Sequence, residues 1–174
     1  MIDIAQRHED ELKSQYLRIW GNDYFKFYNL SSYNFTIEKL PKDDYNSVHL
    51  VTLDFWSGEV IGYVNYDIDR ISKIVTNISA INFTRYKMFG FDLIRIFKSI
   101  FEKSDVQKIK FQVIVGNSSE SKYDRLINRF GGSIVGTFKN DVLLSDGKYY
   151  DVKHYEITKD NYGISRNNRN NQGR

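Results

Sequence analysis

The stretch AINFTRYKMFGFDLIRIFKSIFEK, Ala80 to Lys103, decides how the rest of the chain is read. It opens as an apolar-polar alternation, passes through a short basic turn and becomes a strongly amphipathic helix. Leu93, Ile94, Phe97, Ile100 and Phe101 recur at helical spacing, with Arg95, Lys98, Glu102 and Lys103 on the other side. The turn between holds Arg85, Lys87 and Gly90. Two cations and a glycine at a strand-to-helix turn suit a bound phosphate, because the unpaired N–H groups and dipole of a helix start attract anions. The plainer alternative is a turn and nothing more.

Upstream, VHLVTLDFW and EVIGYVNYDI are rich in β-formers and flank Ser57-Gly58, which predicts a hairpin. DRIS turns the chain again, and residues 74–83 make the third strand of a meander. Downstream, VQKIKFQVIV predicts a strand, and residues 119–130 a helix ended by Gly131-Gly132. A closing hairpin then turns at Ser145-Asp146-Gly147. Residues 3–20 read as a first helix, stopped by Gly21 and Asn22. Residues 24–45 are aromatic, broken by Pro41, and fit no single element. The tail 161–174 has almost nothing apolar and reads as a disordered basic extension. The expected class is α/β (α+β): one mixed, mostly antiparallel sheet flanked by helices, in a single domain over residues 1–160.

Composition narrows the function. A chain of 174 residues, 41% hydrophobic and 16% aromatic, can bury one real core. It has no cysteine, so disulfides, a thiol nucleophile and cysteine-held metal are excluded. Its three histidines are far apart with no HExxH-like spacing, so no metal is expected. A net charge of +3 is small for a nucleic-acid binder. With no signal peptide and no membrane-length apolar run, a cytoplasmic location without membrane contact is expected.

The element order, with a basic turn after the meander, resembles the GNAT acetyltransferase superfamily. Its signature loop reads Gln/Arg-x-x-Gly-x-Gly/Ala, and Arg85-Tyr86-Lys87-Met88-Phe89-Gly90 stands in that place. Arg85 fits the first position and Gly90 the last, while Met88 replaces the middle glycine. IKFQVIVGNSSES is similar to the following strand and its Asn-containing turn, with Asn117 as the match. RFGGSIVGTFKNDVLLSDGKYYDVKHYEI resembles the close of the branch that holds the ribosomal-protein N-terminal acetyltransferases. The resemblance covers about residues 46–158.

It implies an N-acetyltransferase that uses acetyl-CoA as cosubstrate and a primary amine, on a protein, peptide or small molecule, as acceptor. The amine would attack directly in a ternary complex. Backbone N–H groups of Tyr86 to Phe91 would hold the pyrophosphate, helped by the charges of Arg85 and Lys87, and Met88 would have to take a conformation easier for glycine. The backbone of Ala80, Ile81 and Asn82 would face the oxyanion and pantetheine, and Asn117 would also touch the cofactor. The family's usual catalytic tyrosine is missing, since counting back four residues from Gly131 or Gly132 gives Ile127 or Asn128. Tyr123, a turn earlier, is the candidate acid. Asp67 is the candidate base, with Asp69 and Glu59 nearby in sequence. Residues 24–45 would shape the acceptor site, and a homodimer is compatible with the resemblance. Two other readings stay open. One is a GNAT-like fold that binds CoA poorly and serves as an interaction module, and the other is a nucleic-acid-associated protein using its basic tail.

Overall fold

A computed structural model describes residues 1–19, 22–28 and 45–172. Seven strands form one sheet in the order β1-β2-β3-β4-β5-β7-β6. They are β1 (Ile2–Ile4), β2 (Ser47–Leu53), β3 (Val60–Asp69), β4 (Ile74–Asn82), β5 (Lys108–Ile114), β6 (Ser133–Leu143) and β7 (Tyr149–Thr158). Among the described residues four α-helices accompany them: α1 (Glu9–Ile19), α2 (Met88–Lys103), α3 (Glu120–Phe130) and α4 (Lys159–Gln172). The mixed sheet flanked by helices is the expected class. Contacts within the chain gather into two compact units. Met1–Asp67 with Asn77–Ser99 makes the first, and Ile68–Thr76 with the chain from Ile100 onward makes the second.

In the first unit the hairpin forms as the β-rich pattern dictates, with Val51 opposite Tyr63 and His49 opposite Asn65. Asp54 shapes its turn by accepting the N–H groups of Trp56 and Ser57. The core joins Ala5, Leu12, Tyr16 and Phe25 to Val51, Tyr63 and Ile81 of the strands and to Phe83 just past β4. Tyr16 sets its edge against Tyr63 and Phe83 at centroid distances of 6.1 and 5.3 Å. Burial pushes the Tyr16 phenol pKa well above its usual value. Glu11 Oε1 accepts the N–H of Val60 at 2.6 Å and ties α1 to β3.

The expected first helix is shorter than its sequence pattern. Ile2–Ile4 instead pairs antiparallel with β2, Ile2 opposite Thr52, and a 3-10 turn at Ala5–His8 leads into α1. Strand pairing available to Ile2 and Ile4 outweighs the weak helix preference of three residues. Trp20 and Gly21 lie outside the described residues, and so does 29–44 within the stretch that fitted no element. Of that stretch the structure describes a 3-10 turn at Asp23–Tyr28, with Phe25 buried.

In the second unit β4 runs parallel to β5 through Ile74 opposite Lys108 and Val75 opposite Ile109. β5 pairs antiparallel with β7, and β7 with β6. Phe111 stacks on Tyr155, their centroids 4.9 Å apart. Helix α3 buries Leu126, Ile127 and Phe130 and ends at Gly131, whose φ of 70° is left-handed.

The disordered tail expected from composition is instead a helix from Lys159. One aromatic anchors it. Tyr162 is buried, stacks on Phe101 and Phe130, and donates from its hydroxyl to Glu102 Oε1 at 2.6 Å. Arg166 pairs with the same carboxylate at 3.0 Å. Tertiary packing can hold a helix of poor amphipathicity, and composition does not register it.

Candidate functional site

The loop before α2 is set by three local devices. Phe83 N–H bonds to Ile61 O at 3.0 Å and closes the strand end. Asn82 Nδ2 donates to Tyr86 O at 3.0 Å across the turn. Arg85 takes a left-handed φ of 58°, a conformation that costs a non-glycine residue about 1 kcal/mol or more. The strain expected at Met88 therefore falls three residues earlier, and Met88 is the first helical residue, half-exposed. Phe89 turns inward, and its ring occupies the space over Gly62 where a Cβ would sit. That close approach fixes the start of α2 on β3.

Phe89 and Gly90 donate their N–H groups back to Tyr86 O and Lys87 O at 3.3 and 3.1 Å. Among the described residues no hydrogen bond takes the N–H of Tyr86, Lys87 or Met88. These are the orphan donors of a helix start, and the first turn of α2 has no acid. Asp92 follows in the next turn, almost wholly buried, but the Met1 ammonium at 3.1 Å and Arg95 at 3.2 Å offset its charge. Gly90 has an ordinary helical φ, and an added Cβ there would meet nothing within 4 Å. The fold does not require glycine at this position. Tyr86, Met88 and Phe91 are exposed around it.

The first unit thus brings Arg85 to Phe91 together with the end of β4. Ile81 is fully buried, and Ala80 is half-buried. Asn82 matters through its side chain as well as its backbone. Its Oδ1 is buried and accepts no hydrogen bond among the described residues. A ligand N–H donor would satisfy it, as buried acceptors need. Asp67, also in this unit, accepts from Ser47 Oγ at 2.7 Å and Asn77 Nδ2 at 2.8 Å, a clamp across neighbouring strands. An ionised carboxylate still has lone pairs left after two such bonds. Asp69 is a turn former, accepting the N–H groups of Ile71 and Ser72.

In the second unit Asn117 is buried and shapes the turn into α3. Its Oδ1 accepts Ser119 N–H at 2.9 Å and its carbonyl accepts Glu120 N–H at 2.9 Å. Tyr123 sits in the first turns of α3 with its ring 5.7 Å from that of Phe111. Beside it lies a network that the sequence reading did not find. Lys153 pairs with Glu120 and, at 3.4 Å, with Asp124, while Tyr155 donates its hydroxyl to Asp124 Oδ1 at 2.7 Å. The Lys153 bond holds the Glu120 carboxyl below the usual range, and Glu120 in turn raises the Lys153 ammonium pKa. Burial, then the Asp124 bond, pushes the Tyr155 phenol pKa up. The signal was present: Glu120 and Asp124 share one helix face at i, i+4, and Lys153 and Tyr155 share one strand face. Among the described residues no three His, Asp or Glu side chains gather as metal ligands, and no helix is long and apolar enough to cross a membrane.

Solved structures share this fold. The ribosomal-protein-S5-alanine acetyltransferase of Vibrio fischeri superposes with a TM-score of 0.69 at 12% identity, over 92% of this chain and 93% of its own. A spermidine N-acetyltransferase of Vibrio cholerae gives 0.64 at 20% identity, over 93% and 96%. A GCN5-related N-acetyltransferase of Brucella melitensis gives 0.65 at 15% identity, over 94% and 77%. No protein-family model matches the sequence, and neither does any curated protein. The chain has the fold of the GNAT acetyltransferases.

Proposed function

We propose that the chain is an N-acetyltransferase that moves an acetyl group from acetyl-CoA to a primary amine. One observation carries the reading. Three successive unbonded N–H groups, of Tyr86, Lys87 and Met88, open a 16-residue helix beside two cations and a glycine that the fold does not need. A pyrophosphate fits that donor set, since it needs N–H groups, positive charge and close backbone approach. The buried, unbonded Oδ1 of Asn82 suits an amide N–H of the pantetheine arm.

In this reading the acceptor amine attacks the thioester carbonyl carbon directly. The new C–N bond forms, the C–S bond breaks, and the thiolate leaves with a proton. Backbone N–H in the stretch Ala80 to Asn82 stabilises the oxyanion. Tyr123 supplies the proton to the thiolate, and Asp67 receives the amine proton through water. In the same reading Asn117, whose side chain fixes the turn ahead of Tyr123, is a contact for the cofactor. No enzyme nucleophile is needed, in keeping with a chain that has no cysteine.

The acceptors named for the structural neighbours, an alanine of a ribosomal protein and spermidine, define the panel to assay. Thiol release from acetyl-CoA should depend on one of these amine classes. Tyr123→Phe should lower kcat about 10²-fold, with KM for acetyl-CoA little changed. Thiol release independent of every amine tested, or unaltered by Tyr123→Phe, contradicts the mechanism.

A further inference from the structure

Arg85 does not reach outward from its loop. Its Cζ lies 3.6 Å from the ring centroid of Tyr24, in the 3-10 turn Asp23–Tyr28. At that distance the guanidinium rests on the face of the ring, where the negative quadrupole attracts a cation. The ring itself is well held. Asn22 fixes the backbone on both sides, its Oδ1 accepting Tyr24 N–H at 3.0 Å and its carbonyl accepting Phe25 N–H at 2.8 Å. Phe25, set edge-on to Tyr24 at 5.1 Å, is buried in the core. Among the described residues no carboxylate pairs with Arg85.

We infer that Tyr24 is a positioning residue for anion binding, holding the Arg85 guanidinium at the phosphate loop before the ligand arrives. The chemistry follows from shape. All five guanidinium donors lie in one plane, so stacking occupies a face and leaves the N–H edges for phosphate oxygens. A free arginine must give up side-chain freedom on binding, and one already stacked gives up less. The stack also helps to hold the left-handed backbone of Arg85. This inference rests on the proposed CoA reading and gives an anion-side role to a residue of the segment expected to shape the acceptor site.

The test is a double-mutant cycle read by calorimetric titration with CoA. Tyr24→Leu keeps apolar bulk without the ring, Tyr24→Phe keeps the ring without the hydroxyl, and Arg85→Ala removes the cation. Tyr24→Leu should weaken CoA binding about five- to tenfold, while Tyr24→Phe stays within about twofold of wild type. In the Arg85→Ala background Tyr24→Leu should cost nothing further. An equal loss in both backgrounds, or no loss on Tyr24→Leu, overturns the inference and leaves the CoA site standing. Absent binding by the wild-type protein overturns the CoA reading and this inference with it.

Discussion

At Gly90 an added methyl group would meet nothing within 4 Å, whereas at Gly131 it would press on Asn161 O, 2.6 Å away, and at Gly132 on Glu156 O at 2.5 Å. Both regions are helix ends marked by glycine, and the sequence writes them alike. The end of α3 needs its glycines. Gly131 is left-handed, Gly132 N–H caps Ile127 O at 2.9 Å, and α4 and β7 close over both positions. The start of α2 does not need Gly90. What distinguishes a glycine kept for packing from one that leaves room for a ligand is the neighbour a side chain would strike.

The largest effect should come from enforcing that difference at the packed end. Gly131→Ala places a Cβ in a left-handed residue and against backbone, and should cost about 3 kcal/mol, roughly 10 °C in Tm. Denaturant melts check it, and a loss under about 1 kcal/mol would break the comparison.

Gly62→Ala sharpens it from the other side. The methyl meets the Phe89 ring and comes within 2.8 Å of Ile81 O, so the start of α2 must shift. We expect about 1–3 kcal/mol of destabilisation together with weakened CoA binding, since β3 positions the loop. Retained affinity would show that the loop is set by something else.

The network beneath Tyr123 offers a smaller, pH-dependent effect. The folded Lys153 pKa is raised, so its contribution is complete below its unfolded value and is lost as pH rises through the folded one. The folded Glu120 pKa is lowered, so its contribution is complete above its unfolded value and is lost as pH falls through the folded one. Lys153→Gln should therefore lower Tm most between about pH 5 and pH 10, and less below about pH 4. A pH-independent difference would assign the loss to packing.

Gly90→Ala should be the quietest variant for the fold. Alanine favours a helix over glycine by up to about 1 kcal/mol, so stability should hold or rise slightly. The affinity for CoA should fall, because the methyl occupies space at the loop.

Much of this architecture can be read from residue patterns. The α2 periodicity, the hairpin around Ser57-Gly58 and the Gly131-Gly132 stop are local signals, and local signals survive folding. Ile2–Ile4 and the helix from Lys159 are not legible, because each depends on a partner distant in sequence: β2 for one, Phe101 and Phe130 for the other. The loop Arg85 to Gly90 is visible as a motif, but its strain is not. Nothing in the residue types tells that Arg85 takes the left-handed turn in place of Met88, or that Tyr24 carries its side chain. Those facts belong to tertiary contacts.

In the proposed function the start of α2 binds the pyrophosphate of CoA. Calorimetric titration of wild type and Gly90→Glu with CoA, beside their thermal melts, tests it directly. The carboxylate puts negative charge where an anion would sit, at a position where the fold has room. Wild-type binding is expected in the range of about 1–100 μM, weakened at least about tenfold in Gly90→Glu with Tm nearly unchanged. No wild-type binding up to about 1 mM CoA, or equal affinity in the two proteins, would contradict it.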